Sequence, residues 1–220
     1  MSKRTLYFVV FFGLLFAGFV FAMTKVIPGF GEVKMPVLSH VQPFKFLDQN
    51  GQEFTERQVE GKVYVAEYFF TTCTGICPKM NTNMKEVFDR YRNEEGFMIL
   101  SHSVDPVTDS VGRMKFYSDS LGVNGANWHF LTGRKDSLYY AARVSYLLDD
   151  PKNNNERIED QFIHTQFFAL VDKSGQVRRI YDGLKKEEVV QLIEDIPVLL
   201  AEKENNGPRF SNGLFNNNPQ

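Results

Sequence analysis

Val63-Tyr-Val-Ala-Glu-Tyr-Phe-Phe70, Thr71-Thr72 and Cys73-Thr-Gly-Ile-Cys77-Pro78 follow one another, and this junction carries most of what the chain says about its architecture. The first eight residues are mostly apolar and β-prone, the pattern of a strand buried on both faces. The proline after Cys77 marks a helix start, because its missing N–H costs nothing in the first turn. The cysteines, the only two in 220 residues, therefore lie at an expected strand-to-helix junction. Unpaired backbone N–H groups and the positive end of the helix dipole would stabilise a thiolate there, so a lowered thiol pKa is expected for Cys77. On a helical turn, an offset of four residues puts both sulfurs on one side with their Cα atoms within roughly 7 Å. That spacing suits a disulfide and a shared soft metal equally.

Upstream, Lys3 and Arg4 precede an uncharged run from Leu6 to Met23, which ends before Lys25. As a helix this run reaches about 27 Å, barely enough for a bilayer core. The basic residues on its N-terminal side predict an N-in orientation that exports everything after Thr24. Val20-Phe-Ala22 resembles a signal-peptidase site. Because the apolar run exceeds the ~7–15 residues of a usual signal core, an uncleaved anchor over residues 1–24 is the expectation. No cysteine stands just after it, which argues against a lipoprotein anchor. Either reading places the remainder on the periplasmic or extracytoplasmic side. That remainder suits one domain with a full core. A net charge of −2 offers no basis for nucleic-acid binding. In an oxidising compartment two cysteines this close should form a disulfide unless a metal or a reductant intervenes.

Residues 25–40 mix Pro, Gly and isolated apolar positions and read as a tether. Phe44-Lys-Phe-Leu47 followed by Asn50-Gly51 reads as a hairpin. Met80, Met84, Val87, Phe88 and Tyr91 form one helical face, so both methionines read as core rather than as soft metal donors. Gly96 to Asp105 reads as a strand ending at Pro106, where Asp105 is a candidate cap for the next helix. Val111, Met114, Tyr117 and Leu121 are helical; Trp128 to Leu131 is a short strand; Leu138 to Leu148 is again helical. Asp149 to Asp160 reads as a polar surface loop. Phe167–Val171 and Val177–Tyr181 form a second hairpin, and Val189, Ile193, Ile196 and Leu200 a final helix that Pro197 bends. Residues 203–220, rich in Asn, read as a disordered tail. Strands alternating with helices predict an α/β sandwich with a mixed central sheet. A cysteine motif after the first central strand makes a thioredoxin-like fold over residues 41–202 the expectation. If the cysteines hold a metal, His164 in Phe162-Ile-His164-Thr165 is the best candidate third donor. His102 reads as structural, and His40 and His129 have no distinguishing context.

These landmarks belong together. Cys73, Cys77 and Pro78; Ser103-Val-Asp105-Pro106; Trp128 with Leu131-Thr-Gly133; and His164-Thr165 followed by Val171-Asp172 and Gly175 resemble the Sco/SenC copper chaperones from about Val41 to Leu200. The resemblance implies a membrane-anchored thioredoxin-like domain that binds one copper ion, Cu(I) or Cu(II), through Cys73, Cys77 and His164. It also implies a role in assembling the dinuclear copper centre of cytochrome c oxidase, as metallochaperone, as thiol-disulfide reductase, or both. The implied partners are the oxidase copper-site subunit or another cuproprotein, with a copper donor or a thiol reductant. Elementary chemistry agrees, since thiolates with an imidazole suit copper, whereas structural zinc normally takes four protein ligands. Many members have Pro-Asp or a similar pair between the cysteines, where this chain has Thr74-Gly75, and Asp before the histidine, where it has Ile163. Gly75 is expected to loosen the loop, and Asp160 to stand in for the missing carboxylate.

Copper delivery and thiol-disulfide exchange, in which Cys73 and Cys77 would be the catalytic pair, are the two functions to separate. Peroxide reduction on the same fold is weakest, because no Pro-x-x-x-Thr-x-x-Cys pattern precedes either cysteine.

Overall fold

The structure is a computed structural model that describes residues 2–26, 35–123, 127–153 and 156–202. Most of the expected tether (residues 27–34), Asn154, Asn155 and the tail from 203 lie outside them. The chain divides into two compact units, Met1–Met35 and Pro36–Gln220. In the first, α1 (Lys3–Val26) has exposed apolar side chains on every side instead of one buried stripe. Its segment Lys3–Met23 is long and apolar enough to cross a membrane.

The second unit runs β1 (Ser39–His40), β2 (Lys45–Leu47), β3 (Glu53–Thr55), β4 (Val63–Phe69), α2 (Cys77–Tyr91), β5 (Phe97–Ser103), α3 (Val111–Ser120), β6 (Trp128–Leu131), α4 (Lys135–Tyr140), β7 (Phe167–Val171), β8 (Gln176–Asp182) and α5 (Lys186–Ala201). Six strands form one mixed sheet in the order β1-β8-β7-β4-β5-β6. β4, β5 and β6 run parallel, whereas β7 is antiparallel to β4 and β8, and β1 antiparallel to β8. This is the expected mixed α/β, thioredoxin-like arrangement. β2 and β3 make a separate hairpin whose turn places Gly51 at φ 75°, and Leu47 bridges to Thr132 beside β6.

Every residue of β4 and β5 is buried, because both sheet faces are covered. Alternation sends Tyr64, Ala66 and Tyr68 to one side, where they cluster with Phe46, Leu138, Tyr139 and Tyr146. Val63, Val65, Glu67 and Phe69 face the other side. There Phe88 of α2 packs on Trp128, with ring centroids 5.3 Å apart, and Tyr117 of α3 packs on Phe69 at 5.2 Å. α2 and α3 thus cover the Glu67 face, and α4 the opposite one.

The structure departs from the periodicity in four places. Ser39 and His40 pair with Val177 and Gln176, inside the expected tether, because a two-residue edge strand leaves no readable pattern. The helix expected from Leu138 to Leu148 starts at Lys135, widens into a π-turn at Ala141–Ser145 and is broken by Leu147 at φ 56°. The loop from Asp149 is tethered inward, since buried Arg143 donates to Asp149 Oδ2, Gln161 Oε1 and the Asn153 carbonyl, each at 2.8 Å. On α5 the buried stripe is Val189, Leu192, Ile196 and Leu199, so Ile193 and Leu200 sit at its margin.

Candidate metal centre

β4 delivers the chain into the cysteine loop, and α2 takes it up at Cys77, its first residue, with Pro78 in the opening turn. A buried carboxylate holds the loop in place. Asp109, fully buried between β5 and α3, accepts from the Thr71 backbone N–H at 3.1 Å and the Thr71 hydroxyl at 2.5 Å through Oδ1. Its Oδ2 accepts from the Ser103 hydroxyl at 2.6 Å. From outside, Arg113 Nε donates to Thr71 Oγ1 at 2.7 Å. Asp105 takes no part in capping α3, whose N-cap is Ser110; its carbonyl instead accepts from the N–H groups of Thr108 and Asp109.

Removing the Asp109 clamp leaves one backbone N–H and two hydroxyls without partners, each costing ~1–3 kcal/mol if it stays buried. Asp109→Ala is therefore expected to destabilise the reduced protein by about 3 kcal/mol, a fall in Tm of ~6–12 °C. It should also speed alkylation of Cys73, since the loop loses its fixed end. Thermal unfolding and iodoacetamide kinetics on the same preparation check both; an unchanged Tm would show that the clamp holds nothing.

The two thiols are free, Cys77 buried and Cys73 half-buried, and they are near enough for Cys73 to shift the titration of Cys77. The Cys77 thiol is pushed up to about 12, against the lowered value expected at a helix start. Burial is the main cause; the hydrogen bond to Cys73 and the nearby Cys73 and Glu67 charges add to it, while a backbone hydrogen bond from Phe70 opposes them. Desolvation outweighs the helix dipole here, because the same turn that aims the N–H groups also seals Cys77 beneath the loop. Gly75 has open space where a Cβ would stand, so no close packing requires a glycine there.

His164 is exposed on the segment ahead of β7, between buried Ile163 and Thr165. Its ring meets Phe162 with centroids 5.0 Å apart, and Phe162 in turn stands edge-on to Phe70, also at 5.0 Å. The segment is pinned from below: Tyr139 OH donates to the Gln161 carbonyl at 3.2 Å, Arg143 holds the Gln161 side chain, and Ile163 is buried. Ile163 thus anchors in the core at the position where a carboxylate was missed. Asp160 pairs with Arg157 at 3.0 Å instead of serving His164. The structure therefore brings the cysteines together and leaves His164 on the adjoining segment, two ring contacts from Phe70. Among the described residues no group of three or more His, Cys, Asp or Glu side chains is gathered closely enough to hold a metal.

Met80 and Met84 are fully buried in the α2 face. His102 is fully buried on the face opposite α2, stacked on Tyr68 at 4.8 Å with its Nδ1 3.2 Å from the Glu67 carbonyl. Sequence reasoning missed a polar chain under the cysteines. Trp128 Nε1 donates to Ser101 Oγ at 2.9 Å, and Ser101 Oγ donates to Glu67 Oε1 at 2.6 Å. Glu67 is fully buried, and neither its Oε2 nor Asn81 Oδ1 has a hydrogen-bond partner. A charged residue in the middle of a strand buried on both faces was the available signal. Asp109 gave none, because it lies in a turn where acidic residues are ordinary.

Comparison with known proteins follows the same outline. The SCO1/SenC family model matches residues 35–200. A Bacillus subtilis protein, "SCO1 protein homolog", is 31% identical over 186 residues, covering 83% of this chain and 93% of its own length. The solved structure of BsSco, a member of the Sco family of cytochrome c oxidase assembly proteins with a disulfide switch, superposes with a TM-score of 0.65 at 29% identity, over 77% of this chain and 99% of that one. Yeast Sco1 with copper bound superposes with a TM-score of 0.52 at 25% identity, over 72% of this chain and 93% of that one. Fold, cysteine loop and family model agree, and the chain belongs to the SCO1/SenC family.

Proposed function

We propose that this protein carries copper as cargo on Cys73, Cys77 and His164 for assembly of the copper centre of cytochrome c oxidase. The observation that carries the reading is the pair of free cysteines on the loop into α2 and at its first residue, with an exposed imidazole on the segment that packs against Phe70. Two thiolates and an imidazole form a donor set suited to Cu(I). The copper-bound yeast relative and the oxidase-assembly relative support the same reading. Because the thiols must lose their protons to bind, copper uptake releases protons and strengthens with rising pH. In this proposal α1 spans the membrane with Lys3 and Arg4 on the cytoplasmic side, and residues 41–202 work on the other side, where a copper donor and the oxidase subunit meet them.

A second reading has its own support. One half-exposed and one buried cysteine is the asymmetry of an attacking and a resolving thiol. Cys73 would attack a client disulfide, forming a mixed disulfide and releasing one client thiol. Cys77 would then displace the second client thiol, leaving the client reduced and the Cys73–Cys77 pair oxidised.

Anaerobic titration of the full-length, reduced protein in detergent with Cu(I) tests the first reading. One ion per chain, with loss of two titratable thiols, is expected; a stoichiometry of zero sinks copper carriage and leaves exchange.

A further inference from the structure

A histidine that binds a metal is ordinarily oriented by a hydrogen bond from its other ring nitrogen to a carboxylate, a backbone carbonyl or water. Among the described residues the His164 imidazole makes no hydrogen bond and no ion pair; Ile163 is buried where a carboxylate was missed, and Asp160 is taken by Arg157. Its recorded neighbour is a ring. Burial alternates along the segment, with Gln161, Ile163 and Thr165 buried and Phe162 and His164 exposed, so the last two share the outward side. Phe162 meets the imidazole at a tilt of 41° and Phe70 edge-on at 90°, with centroids 5.0 Å apart in both pairs. Offset and edge-on contacts of this kind are the favoured aromatic geometries.

Phe70 ties that ring to the cysteines. Its side chain packs against the buried core, and its carbonyl accepts from the Cys73 backbone N–H at 3.2 Å. Contacts therefore run from the turn that carries Cys73, through Phe70 and Phe162, to the imidazole. Burial of Ile163 and Thr165 holds the backbone on either side of His164, and the rotation of its own side chain is the freedom that remains.

We propose that Phe162 is the positioning residue of His164: its ring, seated against Phe70, holds the imidazole in the rotamer that meets copper on the two sulfurs. The inference rests on the copper reading above and names the residue through which the cysteine loop sets its third donor. A carboxylate partner would also raise the basicity of the imidazole, whereas a phenyl ring orients by shape alone. The hold should accordingly depend on a ring being present and not on its polarity.

The test is Cu(I) competition against a chromogenic chelator, with the full-length, reduced protein in detergent and thermal unfolding of each copper-free variant as the control for folding. Phe162→Ala should weaken Cu(I) binding about 10-fold, the lower end of what losing an orienting partner costs a metal site. Phe162→Tyr keeps the ring and should bind as the unaltered protein does. In the His164→Ala background, Phe162→Ala should cost nothing further, because a residue that acts through the imidazole has nothing left to position. Unaltered affinity in Phe162→Ala, or an equal loss with and without His164, would overturn the positioning role and leave His164 as a donor. Unaltered affinity in His164→Ala alone would remove the histidine from the donor set and overturn both.

Discussion

Cys73→Ser and Cys77→Ser are each expected to abolish copper binding, and His164→Ala to weaken it at least ~100-fold while leaving the cysteines able to form a disulfide. A single thiolate can neither hold copper firmly nor close an intramolecular disulfide, so the cysteine variants lose both proposed activities together. The histidine variant loses one donor of three but keeps the dithiol, the loop and the Asp109 clamp. Competition against a chromogenic Cu(I) chelator gives the affinities, and a thiol count before and after mild oxidation gives the redox competence. On the copper reading, His164→Ala supports oxidase copper-site assembly no better than the cysteine variants. Normal assembly by a variant that binds little copper would instead establish thiol exchange as the function. Wild-type copper affinity in that variant would remove His164 from the donor set. Because His164 is exposed while Gln161 and Ile163 hold its segment, the loss should appear in affinity rather than in the fold.

The stability of the reduced protein should carry two opposing pH dependences, from groups buried beside the same strand. Glu67 is pushed from 4.5 up to about 7 by burial, with the Ser101 hydrogen bond pulling back. Between those values the folded state holds a proton that the unfolded state has lost, so stability falls as pH rises through the window. His102 is pushed from 6.5 down to about 4 by burial, with hydrogen bonds to the Glu67 and Leu100 backbone opposing. Between those values the unfolded state takes the proton first, so stability falls as pH drops. From about pH 4.5 to 6.5 the two contributions cancel, each being on the order of 3 kcal/mol at ~1.4 kcal/mol per pH unit. Glu67→Gln keeps an acceptor for Ser101 with nothing to titrate. Relative to the unaltered protein it should lose about 3 kcal/mol between pH 7 and 4.5. His102→Phe keeps a ring against Tyr68 and should lose a similar amount between pH 4 and 6.5. Urea unfolding across that range, read as differences from the unaltered protein so that shared surface groups drop out, checks both. Parallel profiles for all three would show that neither group titrates inside the fold as described.

Much of the architecture was legible because period and punctuation are local properties. The apolar run of β4, the Pro78 helix start, the Met80–Tyr91 stripe and the Asn50-Gly51 turn each need only neighbouring residues to be recognised. The α5 stripe was displaced by a position because Val189, Leu192, Ile196 and Leu199 fit a helical period as well as the set containing Ile193 and Leu200, and only packing chooses between them. The loop after Asp149 was read as surface because nothing local reveals that Arg143, six residues earlier, reaches back to it from the π-turn.

The chain alone, through residue types at fixed spacing, determined the strand, the helix start, the cysteine pair and the candidate histidine, and with them the family. Only the tertiary structure decided the chemistry of that pair. Whether Cys77 is acidified or not depends on how deeply the loop is sealed, and sealing comes from elements far away in the chain: Asp109 clamping Thr71 and Tyr117 covering Phe69. Burial raised the thiol where the helix N-terminus alone would have lowered it, because desolvation sums over everything packed around the sulfur, whereas the dipole acts only through the first turn.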